Sequence, residues 1–165
     1  MQIKKEIILG IDPGTASVGW GLVEKVGKEC QLVDYGCIRT KPDKKLSLRL
    51  LEIFDALSDI IKKKRPDIVA VEQLFFFKNS KTAMAVGQAR GVILLAAEIG
   101  KKEFYEYTPL QVKQAISGYG RAEKKQIQNL VKELLNMKEI PKPDDAADAL
   151  AVALCHAYTN QKLIR

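Results

Sequence analysis

The sequence predicts an α/β domain built on a mixed five-stranded sheet that is flanked by helices. Three strand-like runs joined by short connections open the chain, which is typical of an antiparallel meander. Two further strand-like runs then alternate with segments of helical periodicity, which indicates crossovers to parallel strands. The 165 residues, 47% of them hydrophobic, suit one domain (1–165) with a sizeable core.

The meander consists of apolar runs at 7–11, 18–26 and 31–39, and Gly27 marks the turn between the second and third. Apolar residues then recur at helical spacing over 44–64, which predicts an amphipathic helix. This helix ends in a basic run, which is favourable at a helix C-terminus and is followed by a proline.

The run 67–72 is almost continuously apolar, so we expect a central strand that is covered on both faces and is parallel to its neighbour. A helix over 82–99 and a strand over 103–107 follow. Thr108, with a proline after it and Gln111 three positions on, has the pattern of a helix-capping box.

The last two predicted helices cover 123–136 and 143–158. The final one carries no charged residue beyond its first turns apart from a possible charge on His156, which is typical of a buried helix. We interpret His156 as a core residue or as support for the neighbouring site. Asp144 is the predicted N-cap of this helix.

Four carboxylates are the candidate catalytic residues. Asp12 and Glu72 end two strands, and parallel neighbours would bring both to the sheet edge where α/β proteins place their sites. Asp145 and Asp148 share one face of the last helix. Oxygen ligands of this kind suit magnesium or manganese, and two such ions would support phosphodiester hydrolysis. The alternatives are a turn residue at Asp12, an ion pair at Glu72 and helix-dipole stabilisation at the aspartates.

The net charge is +7 and its excess is local, since residues 74–142 hold 12 Lys and Arg against 6 Asp and Glu. Such an excess favours a polyanionic partner, nucleic acid first, although a solvated charged face is the alternative. The three cysteines form no CxxC pair, which favours a reducing, cytoplasmic location and argues against zinc. The apolar run 91–97 is too short to span a bilayer, so no membrane is expected.

Seven motifs together carry a family resemblance: GIDPG at 10–14, GCIRT at 36–40, VEQLFF…KN at 71–79, GQARGV at 87–92, QVKQ at 111–114, AEK at 122–124 and DAADALA at 145–151. In this order and spacing the chain resembles the RuvC-type Holliday junction resolvases over essentially its whole length. The resemblance implies a ribonuclease-H-like fold, a homodimer and a cytoplasmic role in recombination and DNA repair. It also implies partnership with the branch-migration proteins RuvA and RuvB.

The resemblance further implies magnesium-dependent nicking of two opposed strands of a four-way DNA junction, leaving 5′-phosphate and 3′-hydroxyl ends. Two Mg²⁺ ions are expected in each active site, and Mn²⁺ is expected to substitute. The acidic ligands of the family fall on the four carboxylates Asp12, Glu72, Asp145 and Asp148. Its stacking aromatic falls on Phe75, and its DNA-contacting lysines fall on Lys113 and Lys124.

Other basic residues near these positions are predicted DNA contacts from their placement alone. Lys78 follows the three phenylalanines, and Arg121 and Lys125 lie around a glycine-flanked loop, where they suit backbone phosphates. Exposed phenylalanine rings could stack on bases unpaired at a crossover, or they could continue a strand into the core. Ala83, Gly87 and Gly91 form a stripe of small residues that suits either a dimer interface or close packing on the protein's own sheet.

Two other functions remain open from the sequence. The glycine-rich start resembles the first phosphate loop of actin- and hexokinase-like ATPases, although 165 residues are few for two lobes that clamp a nucleotide. A non-catalytic junction-binding protein would share the basic surface and would bind equally well with its acidic residues neutralised.

Overall fold

A computed structural model describes residues 4–74 and 80–159. In chain order its elements are β1 (Lys5–Asp12), β2 (Ser17–Val26), β3 (Glu29–Arg39), α1 (Leu46–Lys64), β4 (Ile68–Glu72), α2 (Ser80–Ile99), β5 (Glu103–Tyr107), α3 (Pro109–Ser117), α4 (Lys124–Leu134) and α5 (Asp144–Tyr158). The order and type of these elements agree with the sequence prediction, with boundaries that differ by about two residues at most, as is usual for element ends. The predicted contacts Phe75 and Lys78 lie outside the described residues.

The five strands form one mixed sheet in the order β3-β2-β1-β4-β5. The strand β2 pairs antiparallel with β1 and with β3, whereas β4 pairs parallel with β1 and with β5. The predicted meander and the predicted parallel crossovers are therefore both confirmed. Because β1 and β4 are parallel neighbours, Asp12 and Glu72 end them at the same edge of the sheet.

Helices cover both faces of the sheet. Successive strand residues point to opposite faces, so Ile8 packs in the cluster that contains α3, α4 and α5, and Leu9 packs in the cluster that contains α1 and α2. The strand β4 is buried along residues 68–71, in agreement with its continuous apolar sequence. The layers are thus helix, sheet and helix.

The helix α5 lies unusually close to the sheet because glycines replace side chains beneath it. A Cβ placed on Gly10 of β1 would lie 2.1 Å from the carbonyl oxygen of Ala149. One placed on Gly19 of β2 would lie 1.9 Å from the carbonyl oxygen of Asp145. Real Cβ atoms do not approach a backbone so closely, so these glycines set the distance between α5 and the strands.

Two predictions about helix ends had different outcomes. The capping box at α3 is confirmed, because the Thr108 hydroxyl accepts from the Gln111 amide and the Gln111 side chain accepts from the Thr108 amide. The prediction that Asp144 caps α5 is wrong. The N-cap is Pro143, whose carbonyl accepts the first helical bonds, and no side chain caps this end. Asp144 is instead the first residue of the helix and forms an ion pair with Lys124 at 3.5 Å.

The buried part of α5 holds His156, which lies away from the carboxylates. Its Nδ1 atom is 2.7 Å from the hydroxyl of Tyr107, and its ring contacts Tyr105 with a centroid distance of 4.6 Å. Burial lowers the pKa of the histidine. The surroundings are those of a core residue, which was one of the two interpretations of His156.

Candidate active site

Three of the four predicted carboxylates meet at the carboxyl edge of β1. One carboxylate oxygen from each of Asp12, Asp145 and Asp148 lies within 4.8 Å of the others, and each residue is partly buried. The end of β1 presents Asp12, and the first turns of α5 present the two aspartates on one helical face. The close approach of α5 to Gly19, which pairs with Asp12 across the sheet, brings these two elements together.

The fourth carboxylate, Glu72, lies beside this cluster at the end of β4. It lines a cavity of about 220 Å³ together with Asp148, Lys113 and Lys124. Its charge also raises the pKa of Asp12, which places it within electrostatic range of the cluster. The structure therefore brings a close group of three carboxylates to the sheet edge, with Glu72 at its border.

Burial and the charges of neighbouring carboxylates raise the pKa values of Asp12, Glu72 and Asp148. Burial, followed by the charges of Glu72 and of the two helix aspartates, raises the pKa of Asp12 to about 8. Burial, followed by the charge of Asp148, raises the pKa of Glu72 to about 7. Carboxylates that resist ionisation in this way are favourable places for a cation, because a cation would relieve the repulsion between them.

The aspartates of α5 have different polar partners. Lys124 donates a hydrogen bond of 3.0 Å to Asp148 from the start of α4. Burial would lower the pKa of Lys124, but its bonds and charge interactions with Asp148 and Asp144 outweigh burial and raise it. Ser17, the first residue of β2, donates a hydrogen bond of 2.6 Å to Asp145 Oδ2.

Sequence reasoning missed Ser17 and its neighbour Cys37. The Cys37 sulfur lies 2.7 Å from the Ser17 hydroxyl oxygen, and Cys37 is partly exposed. A signal was present in the alternation of β2, which places residue 17 on the same face as Gly19. The residue type gave no indication, because serine is common where a turn enters a strand.

Of the four predicted DNA contacts within the described residues, two line this site and two lie exposed on the adjoining loop and helix. Lys113 of α3 is half-buried beside Glu72, and the Lys124 side chain is 55% exposed. Arg121 and Lys125 are exposed at the loop between α3 and α4 and at the start of α4. A partly enclosed acidic cluster is thus bordered on one side by basic groups, a distribution that suits a phosphate chain passing over bound cations.

A sheet edge with clustered oxygen ligands and a basic border defines a class of protein, the metal-dependent phosphodiester hydrolases. The comparisons with known proteins identify the family within this class. The family model described as crossover junction endodeoxyribonuclease RuvC matches residues 8–156. The chain belongs to the RuvC family of crossover junction endodeoxyribonucleases.

Individual relatives agree with this assignment. Crossover junction endodeoxyribonuclease RuvC of Desulforamulus reducens is 60% identical, with 92% of this chain and 93% of the relative covered. The protein of the same name from Alkaliphilus metalliredigens is 57% identical, and 93% of each chain is covered. The structure of Thermus thermophilus RuvC in complex with a Holliday junction substrate has a TM-score of 0.88 at 37% identity, over 93% of each chain.

A more distant structure shows the fold alone. The yeast mitochondrial Holliday junction resolvase Ydc2 has a TM-score of 0.66 at 13% identity. These comparisons confirm the family resemblance, the ribonuclease-H-like fold and the predicted enzyme class, a crossover junction endodeoxyribonuclease. Membership in a nuclease family also favours the junction nuclease over the ATPase-like module and over the non-catalytic binding protein.

Proposed function

We propose that Asp12, Glu72, Asp145 and Asp148 hold two Mg²⁺ ions, for which Mn²⁺ can substitute, and that this site nicks two opposed strands of a four-way DNA junction. The observation that carries the proposal is the group of three carboxylates that offer one oxygen each within 4.8 Å of the others. The donor set consists of oxygen atoms only, which fits hard divalent cations and not zinc or copper.

Each residue has a definite part in this mechanism. Asp12 would hold a cation together with Asp145 and Asp148, since one oxygen of each lies within 4.8 Å of the others. Asp145 and Asp148 form one wall and Glu72 forms the other. Magnesium, when bound, supplies activation of the attacking water and stabilisation of the leaving 3′ oxygen. The resulting ends are a 5′-phosphate and a 3′-hydroxyl, which a ligase can seal.

Replacing Asp145 by asparagine is expected to slow nicking of a synthetic four-way junction by roughly a hundredfold or more, because a two-metal site contributes several kcal/mol to the barrier. Binding of the intact junction without metal is expected to persist or to tighten, since the change removes a negative charge from a surface that faces phosphates. Single-turnover nicking with Mg²⁺ and anisotropy of a labelled junction in EDTA measure the two quantities.

The matched control for that experiment is Asp55→Asn, which neutralises an exposed aspartate on α1, on the opposite face of the sheet. It should nick as fast as the wild-type protein. Wild-type nicking by Asp145→Asn would refute the proposed ligand set. An absence of nicks from the wild-type protein with any divalent metal would support the non-catalytic alternative.

We further propose that Lys113, Lys124, Arg121 and Lys125 bind junction phosphates, and that Phe75 and Lys78 contact the crossover. The support for Lys113 and Lys124 is their place in the cavity beside Glu72 and Asp148, and the support for Arg121 and Lys125 is their exposure next to Lys124 in the chain. The proposal for Phe75 and Lys78 rests on the sequence, since both lie outside the described residues. Stacking by Phe75 would be refuted if Phe75→Ala impaired cleavage of intact and pre-opened junctions equally.

The change Lys113→Ala is expected to weaken junction binding in EDTA several-fold and to lower the slope of log affinity against log salt by about one, the signature of one lost phosphate contact. The control Lys28→Ala removes an exposed lysine from the β2–β3 turn, at the opposite edge of the sheet. Anisotropy titrations at several salt concentrations provide both slopes. Equal slopes for the two variants would exclude a phosphate contact at Lys113.

We also propose that the protein acts as a homodimer through α2. A Cβ on Gly87 or Gly91 would meet no atom within 4 Å, so the small stripe does not pack on the sheet at these two positions. The exposed fractions of Met84 and Leu95 are 76% and 53%. An apolar face of this kind suits a second copy of the chain, and a two-fold dimer presents two identical sites to a junction of similar symmetry.

The same helix is long and apolar enough to cross a membrane by length and composition alone, since Thr82–Ile99 has a mean hydropathy of 1.3, and 22% of this segment is buried in the structure. We favour the dimer over a membrane span because Arg90 of α2 forms an ion pair with Glu106 of β5, which holds the helix against the sheet. Sedimentation equilibrium would refute the dimer if the protein stayed monomeric at micromolar concentrations.

A cytoplasmic location and association with RuvA and RuvB belong to the same proposal. Co-sedimentation with those proteins on a junction tests the association.

A further inference from the structure

Two polar side chains in series, Ser17 and then Cys37, support the carboxylate of Asp145. The Ser17 hydroxyl donates to Asp145 Oδ2 at 2.6 Å, and the Cys37 sulfur lies 2.7 Å from the same hydroxyl oxygen. We infer that Ser17 is a positioning residue that keeps Asp145 in its metal-binding orientation, with Cys37 orienting Ser17 in turn. This inference rests on the proposed role of Asp145 as a metal ligand.

The donors and acceptors of this series are consistent in one direction only. An ionised carboxylate only accepts hydrogen bonds, so the single hydroxyl proton of Ser17 is used on Asp145. The thiol then donates in the contact between Ser17 and Cys37, because its other acceptor, the carbonyl of Ile38, is 3.9 Å away and the serine oxygen is 2.7 Å away. Each donor therefore points toward the carboxylate, which is the arrangement that stabilises its charge.

Two residues of β2 control Asp145 by different means. Gly19 lets the backbone carbonyl of Asp145 pack against the strand, since a Cβ there would lie 1.9 Å from that oxygen. Ser17, two residues earlier on the same face, binds the carboxylate itself. Both the backbone and the side chain of Asp145 are therefore positioned by β2. One carboxylate oxygen is committed to Ser17, which sets the direction in which the other is presented to a cation.

Residues that hydrogen-bond to a metal ligand without binding the metal usually contribute ten- to a hundredfold to metal affinity, because they limit the orientations of that ligand. Asp148 accepts its hydrogen bond from Lys124, which is charged, so a bound metal ion would have to displace Lys124 or share the carboxylate with it. Ser17 is a neutral donor, so it orients Asp145 without competing for its charge. Its removal should therefore weaken metal binding.

The sharpest test compares Ser17→Thr with Ser17→Val, because these side chains have the same shape and differ in the hydroxyl. Mn²⁺ titrations of the full chain without DNA, followed by electron paramagnetic resonance, measure affinity independently of nicking. Ser17→Thr is expected to bind Mn²⁺ within about threefold of wild type, and Ser17→Val about tenfold more weakly. Cys37→Ala should weaken binding less than Ser17→Val does.

Two comparisons separate this inference from the proposed function. Asp145→Asn should weaken Mn²⁺ binding, and Ser47→Ala, which deletes an exposed hydroxyl on α1, should not. Equal affinities for the threonine and valine variants, with Asp145→Asn weakened, would overturn the inference and leave the proposed site intact. Wild-type affinity in Asp145→Asn would overturn the proposed site itself. Because the threonine and valine variants share any steric cost, a loss of stability common to both does not affect the comparison.

Discussion

Replacing Asp12 by asparagine is expected to make the metal-free protein more stable at pH 8 and to remove its nicking activity. Burial and the neighbouring carboxylates raise the pKa of Asp12 to about 8, against an ordinary value near 3.8. Ionising it in the folded protein therefore opposes folding. Asparagine has a similar shape and no charge, so the folded state loses that repulsion together with a metal ligand.

The pH dependence of stability follows from the raised pKa values. Below about pH 4 the carboxyl of Asp12 is protonated in both the folded and the unfolded chain, and its contribution to stability is complete. Between about pH 4 and pH 8 the unfolded chain releases the proton while the folded chain retains it, so the free energy of unfolding falls as the pH rises. Glu72, with a pKa raised to about 7, adds to the same trend.

Urea unfolding in EDTA at pH 5 and pH 8 measures this effect. The gain of Asp12→Asn over wild type should be about 1 to 2 kcal/mol at pH 5 and larger by about 2 to 4 kcal/mol at pH 8. Adding Mg²⁺ at pH 8 should stabilise the wild-type protein and have much less effect on the variant. A wild-type stability that does not change between pH 5 and pH 8 would show that the carboxylates ionise freely without metal. Strand-nicking assays at pH 8 complete the comparison.

The sequence predicted those features of the site that depend on the local geometry of strands and helices. Apolar runs and their order established that two carboxylates end parallel neighbouring strands, and the helical period placed Asp145 and Asp148 on one face. The apolar sequence of α5 predicted its burial, and every residue from Ala149 to Ala157 is buried. These inferences depend on local geometry, which residue type and spacing determine well.

The parts that the sequence did not reveal depend on contacts between distant segments. Ser17 and Asp145 are 128 positions apart, and neither the residue type nor the spacing links them. Asp144 has the residue type of an N-cap, but the carbonyl of Pro143 accepts the first helical bonds and Lys124 attracts the aspartate side chain. In both cases a tertiary partner, and not the local propensity, decides what the side chain does.

Alanine at Gly10 is expected to be strongly destabilising, because this residue lies directly beneath α5. The added Cβ would lie 2.1 Å from the oxygen of Ala149 and 2.6 Å from the nitrogen of Ala153, and both atoms belong to the backbone of α5. A backbone cannot rotate away as a side chain can, so the helix must move. We expect a loss of about 3 kcal/mol, since the repulsion exceeds the gain of roughly 0.5–1 kcal/mol from replacing glycine in a strand.

The control is Gly118→Ala at the end of α3, where the added Cβ meets no atom within 4 Å and only the left-handed backbone conformation opposes alanine, at a cost of about 1 kcal/mol. Urea unfolding gives both values, and equal stability of the two variants would contradict the close packing of α5. Because Gly10 lies two residues before Asp12, a displaced helix also separates Asp145 and Asp148 from Asp12. Mn²⁺ affinity should therefore fall in Gly10→Ala even at temperatures where the protein remains folded, which would show that the glycines beneath α5 determine the geometry of the carboxylates.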